Sequence, residues 1–116
     1  MREMHMITSL KVGRGLSNKI FLVTDGRFSG STRGPFIGYV CPEAYEGGSI
    51  ALVNDGDIIH YSVESRSLRL EVEDAELEDR RKAWKPVIKP AKGYLARYRE
   101  MVQGSDRGAT LIGFGT

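Results

Sequence analysis

Twelve residues, Thr24-Asp25-Gly26-Arg27-Phe28-Ser29-Gly30-Ser31-Thr32-Arg33-Gly34-Pro35, can continue no regular element, so the rest of the chain must fold around holding them. They follow an apolar run, Ile20-Phe21-Leu22-Val23, that reads as a short buried strand. A strand that breaks into a small, polar loop places reactive groups on a rigid support. Three hydroxyls, Ser29, Ser31 and Thr32, fall within four residues, and the neighbouring glycines let backbone come close to a ligand. A tight structural loop with capping hydroxyls has the same composition.

The remaining chain bounds what such a loop can serve. Its 116 residues suffice for one domain with its own core, and leave little room for two. Lys plus Arg number 17 against 15 Asp plus Glu, a net charge of +2, too small for a basic field that recruits nucleic acid. No apolar run nears the roughly 20 residues that span a bilayer, and Met1-Arg2-Glu3-Met4-His5-Met6 lacks a signal-peptide core. One cysteine, Cys41, excludes an internal disulfide and any iron–sulfur or zinc site built from several thiolates of this chain. A cytoplasmic protein is expected.

In chain order, Met4, Ile7, Leu10 and Lys11 share one side of a short amphipathic helix that Gly13 and Gly15 stop. Gly13-Arg14-Gly15 precedes the strand and lacks a third glycine, so it is no dinucleotide loop. No glycine stands two residues before Ser29, so the nucleophile-elbow pattern fails too. Residues 36–44 read as an extended segment ended by Pro42, and Glu46-Gly47-Gly48 as a turn. Ser49–Val53 reads as a buried strand, followed by the hairpin signal Asn54-Asp55-Gly56-Asp57. Ile58–Val63 and Leu68–Val72 complete a small antiparallel meander.

Asp74 is positioned to cap a helix that runs toward Trp84, acidic early and basic late, with its charges on a solvated face. A second helix, from about Gly93 to Val102, carries Tyr94, Leu95, Tyr98 and Met101 as a core-type stripe. The Gly-rich tail from Gly104 should be loose unless something holds it. Cys41 reads as a small buried residue, and His5 and His60 as surface residues.

Four stretches resemble the C-terminal part of the dihydroxy-acid/phosphogluconate dehydratase family. They are Met1-Arg2-Glu3-Met4, Asp25 through Pro35, Pro42-Glu43-Ala44 with Glu46-Gly47-Gly48, and Ala83-Trp84-Lys85-Pro86 followed by Gly93-Tyr94-Leu95-Ala96-Arg97-Tyr98. The Arg-Phe-Ser-Gly-x-Thr-Arg-Gly-Pro form and the Trp-Lys-Pro segment favour the dihydroxy-acid branch, and the resemblance covers nearly the whole chain. It implies an α/β fold of the swivelling β/β/α type, a barrel-like, mostly antiparallel or mixed sheet with flanking helices. Residues 1–116 would be a single C-terminal domain.

The reaction implied by the resemblance removes water from a 2,3-dihydroxy acid to give a 2-oxo acid, in branched-chain amino-acid biosynthesis. It uses an iron–sulfur cluster and Mg²⁺, the cluster acting as Lewis acid on the departing 3-hydroxyl. Ser29 matches the family's base and Glu3 its Mg²⁺-ligating glutamate; Gly30, Ser31 and Thr32 would surround the substrate. A serine is too weak a base unless cationic charge stabilises its alkoxide, and a hard cation suits a carboxylate. Sugar-acid relatives have threonine at the position of Ser31, so a proton-donor role falls to Ser31 or Thr32. Tyr39, Cys41 and Phe36 stand where the family usually has His, Ser and a smaller residue.

In the family the cluster cysteines, the other Mg²⁺ ligands and a modified lysine lie in the N-terminal domain. The partners implied are that domain, the dihydroxy acid and a second copy in a homodimer, with no nucleic acid or membrane. The chain alone should be inert, with a surface around Ser29 and the N-terminal stretch that is unusually apolar or mobile where its partner would sit. A non-catalytic binding or assembly module is the competing reading. A phosphate-binding loop using Arg27 and Arg33 is a third.

Overall fold

The computed structural model describes the backbone of residues 2–28 and 32–113, and side chains from residue 4 onward within those ranges. Its contacts divide into two compact units, Met1–Cys41 and Pro42–Thr116.

In the first unit, helix α1 spans Arg2–Gly13. The chain leaves it through a Schellman turn: the Leu16 N–H donates to the Lys11 carbonyl and the Gly15 N–H to the Val12 carbonyl. The glycine stop expected from the sequence is therefore present. The buried side is different from the one expected. Thr8 and Lys11 are 3% and 5% exposed, with Met4 half-buried, while Met6, Ile7 and Leu10 face outward, Met6 at 71%. The Thr8 hydroxyl donates back to the Met4 and His5 carbonyls, which lets a polar side chain sit inside. Two short strands, β1 (Leu22–Val23) and β2 (Phe36–Ile37), then pair in parallel.

The second unit begins with two 3-10 turns, Ala44–Glu46 and Ser49–Leu52. The expected strand at Ser49–Val53 does not form. A short apolar run suits either geometry, and here Gly48 pins its start. A β-carbon on Gly48 would lie 1.8 Å from the Pro42 carbonyl oxygen, so only glycine permits that approach. Leu52 ends the turn as the most enclosed apolar side chain among the described residues, 4% exposed. Asn54–Asp57 does turn, with the Asp57 N–H on the Asn54 carbonyl, but it joins no pair of strands. The hairpin is β3 (Ile59–Ser62) against β4 (Ser67–Leu70), antiparallel, with Ile59 opposite Leu70 and Tyr61 opposite Leu68.

Helix α2 spans Asp74–Ala83, with Asp74 its first residue and Glu73 at the cap without a side-chain bond. Its basic end is not wholly solvated. Arg80 reaches inward to Asp57 and to the Leu52 carbonyl, at 3.1 and 2.9 Å, and Glu76 holds its other side. Arg81 donates to the Gly47 carbonyl at 2.8 Å, and the Trp84 ring lies against Gly47. The Glu-Gly-Gly and Trp-Lys-Pro stretches thus meet each other, as structure.

Helix α3, Tyr94–Met101, leaves its stripe in the open: Tyr94 and Leu95 are exposed, the latter at 66%, and Tyr94 stacks on Tyr98. The core role expected of that stripe is not seen. The tail, by contrast, is fastened. Val102 bridges Leu111, the Ile112 N–H donates to Met101, and the Ser105 N–H donates to Glu43 Oε1 at 2.6 Å. Among the described residues no helix is long and apolar enough to cross a membrane.

Candidate functional site

The loop of residues 24–35 springs from a fixed base. Parallel pairing sets Leu22 beside Phe36 and Val23 beside Ile37, so both ends of the loop are held on one short ladder. The ladder runs past the strands: Thr24 N–H donates to Ile37, Tyr39 N–H to Gly26 and Val40 N–H to Thr24, at 3.0, 3.0 and 3.2 Å. The Thr24 hydroxyl accepts the Gly26 N–H at 3.0 Å, bending the chain as it leaves β1. Inside these bonds, the rings of Phe28 and Phe36 meet edge to face with centroids 5.0 Å apart. Phe36 is therefore one half of an aromatic clasp across the loop.

Helix α1 closes the other side of the base. Lys11 Nζ donates to the Pro35 carbonyl at 3.4 Å. Gly34 has φ +87°, and a β-carbon there would lie 1.8 Å from the Ser17 carbonyl oxygen, so the exit of the loop passes hard against the turn that follows α1. Glu3 lies in the first turn of α1, so the helix that carries it also carries the contact to the loop exit.

Of the residues singled out in the sequence, Ser29, Gly30 and Ser31 lie outside the described residues, as does the side chain of Glu3. Thr32 is half-buried, and Arg27 and Arg33 are exposed. Tyr39 has φ 55° and is exposed. Cys41 is exposed too, contrary to the buried role expected; its Sγ donates to the Tyr39 carbonyl at 3.2 Å, a bond that needs no enclosure. His5 and His60 are exposed, as expected. Lys11 is the residue that sequence reasoning misses, because a lysine on a helix is expected in water. Its place on the apolar side of the expected helix is the available signal.

Among the described residues no three His, Cys, Asp or Glu side chains gather where a metal could be held. With one cysteine in the chain, the residues present do not fit an iron–sulfur cluster. A groove of about 830 Å³ belongs to the second unit, lined by Asp57, Leu70, Glu71, Leu77 and Arg80 among others. Its central charges satisfy one another. The Arg80 guanidinium, bonded to Asp57, holds that carboxyl below its ordinary range, while Asp57 and Glu76 raise Arg80. Arg80, Asp57 and Glu76 in that groove thus form one ion-pair group.

Over residues 1–109 the chain matches the family described as dihydroxy-acid/6-phosphogluconate dehydratase, C-terminal. It is 53% identical over 109 residues to the dihydroxy-acid dehydratase of Methanococcoides burtonii, covering 94% of this chain and 20% of that protein. Against the dihydroxy-acid dehydratase of Ignicoccus hospitalis it is 54% identical over 112 residues, 96% of this chain and 20% of the relative. The same protein of Clostridium kluyveri gives 54% over 112 residues, with the same coverage. The chain spans about a fifth of the length of the curated relatives it matches.

Proposed function

The chain belongs to the C-terminal domain family of the dihydroxy-acid/6-phosphogluconate dehydratases, and on that footing we propose that it is the C-terminal domain of a cytoplasmic dihydroxy-acid dehydratase. The observation that carries this is identity above half over nearly the whole chain, to relatives of that name, with the Arg-Phe-Ser-Gly loop included. In the full enzyme the domain takes the swivelling β/β/α form. Met6, Ile7 and Leu10 on α1, and Tyr94 and Leu95 on α3, supply apolar surface for the N-terminal domain and for a second copy.

The reaction is loss of water from a 2,3-dihydroxy acid in branched-chain amino-acid biosynthesis. Ser29 Oγ, as its alkoxide, takes the C2 proton as the C3–O bond breaks, and the leaving hydroxyl takes a proton from Ser31 or Thr32 and departs as water. The enol O–H then gives its proton back to that donor while C3 takes the proton held on Ser29, which leaves the 2-oxo acid and restores both groups. Gly30, Ser31 and Thr32 bind the carboxylate and hydroxyls of the substrate. Glu3 offers one hard oxygen ligand to Mg²⁺, whose charge would favour an alkoxide nearby. The iron–sulfur cluster belongs to the part of the enzyme outside these residues, and no step here is assigned to it.

The test is to join this chain to the N-terminal four-fifths of the Methanococcoides burtonii relative, in place of the matching 109 residues. The chimera should form a 2-oxo acid from a 2,3-dihydroxy acid, and neither part alone should. A well-folded, cluster-loaded chimera without turnover would overturn the proposal. The second reading, a non-catalytic binding or assembly module, draws on the single cysteine. Immunoblotting of source cells separates the two: a band far above 12.9 kDa supports the enzyme, and one at 12.9 kDa the module or a two-chain enzyme.

A further inference from the structure

Lys11 is the most fully buried charged side chain among the described residues, and a lysine is seldom buried without a reason. Three segments converge on it. Its own carbonyl accepts the Leu16 N–H in the turn closing α1, its Nζ donates to the Pro35 carbonyl, and a β-carbon on Gly34 would lie 3.1 Å from that same Nζ. A methionine or leucine would fill the space, but only a long cation both spans it and bonds the carbonyl.

We propose that Lys11 is a positioning residue, which ties the exit of the 24–35 loop to helix α1 and so sets the separation between that helix and the loop. Glu3 and Lys11 share one rigid helix, eight residues or roughly 12 Å of axis apart. The loop is held at both ends by the β1–β2 ladder, in which the Leu22 N–H donates to the Pro35 carbonyl at 3.3 Å, and by the Phe28–Phe36 contact; Lys11 adds the tie from that same carbonyl to α1. Removing that tie leaves the ladder and the helix in place and loosens their mutual placement. Small misplacements of this kind are costly to catalysis and cheap in stability. The consequence for turnover rests on the reading of Ser29 and Glu3 given above; the contact itself does not.

Lys11→Met and Lys11→Arg, made in the chimera and in this chain, test it. In the chimera Lys11→Met should lower kcat at least about tenfold, leave KM for the dihydroxy acid within about twofold, and keep the melting temperature, while Lys11→Arg restores most of the rate. In this chain alone, amide hydrogen exchange at residues 33–37 should quicken in Lys11→Met and not at β3–β4. Unchanged kcat in Lys11→Met, or a loss shared equally by Lys11→Arg, would overturn the positioning role. If the chimera with Lys11 intact turns nothing over, the dehydratase reading fails by itself. Exchange at residues 33–37 then still decides: unaltered protection in Lys11→Met contradicts the tie.

Discussion

Charged side chains bonded to distant main-chain groups recur, among them Lys11 on the Pro35 carbonyl, Glu43 on the Ser105 amide, Arg80 on the Leu52 carbonyl and Arg81 on the Gly47 carbonyl. None is legible in the sequence, because each joins residues far apart in the chain and each residue type is ordinarily solvated. Glu43 has a pH consequence. The Ser105 N–H, donating to its carboxylate, is the main cause that holds it below the ordinary carboxylate value. A depressed folded value means the stabilisation is complete above the unfolded value and is lost as pH falls through the folded one. The tie between residue 43 and the tail should therefore hold at neutral pH and release in acid, as pH falls through the depressed value of the Glu43 carboxyl. The Ser105 amide resonance should titrate with Glu43, and Glu43→Gln should abolish that titration; a pH-independent shift in the native chain would refute it. Leu52→Ala should cost about 2–4 kcal/mol in chemical denaturation, since the leucine is enclosed. A change below about 0.5 kcal/mol would place the core elsewhere.

At the scale of elements, periodicity gives existence better than orientation. The three helices and the hairpin lie close to where apolar spacing, glycine stops and charge order put them. The strand expected at Ser49–Val53 is instead a 3-10 turn, because the approach of Gly48 to the Pro42 carbonyl is a tertiary fact. Parallel pairing of β1 with β2 is equally invisible in the sequence, since the partners stand on either side of the loop. The stripes of α1 and α3 have the spacing of core faces, yet both expose their larger apolar side chains. Their periodicity is real; what it packs against in the full enzyme is the proposed partner surface. Leu10→Asp should accordingly shift the stability of this chain by no more than about 0.5 kcal/mol. The same change should weaken association with the N-terminal part of the Methanococcoides burtonii relative at least about tenfold in a pull-down titration. Equal binding by Leu10→Asp would remove α1 from that interface.

For the molecule as a whole, the loop signature together with three further stretches points to the family, and 53% identity with the Methanococcoides burtonii protein agrees with it. The loop's support is not legible in the same way: a parallel ladder, an aromatic clasp and a buried lysine are all built from residues outside the signature's polar centre. The proposed function requires the loop to deliver a serine base to a site completed by another domain. Turnover of a 2,3-dihydroxy acid by the chimera, compared with its Ser29→Ala variant, measures that most directly. Ser29→Ala should lose roughly 10²–10⁴-fold in kcat, with cluster content and melting temperature unchanged. Retention of turnover within about twofold would contradict it, and would take the proton-abstracting role away from this loop.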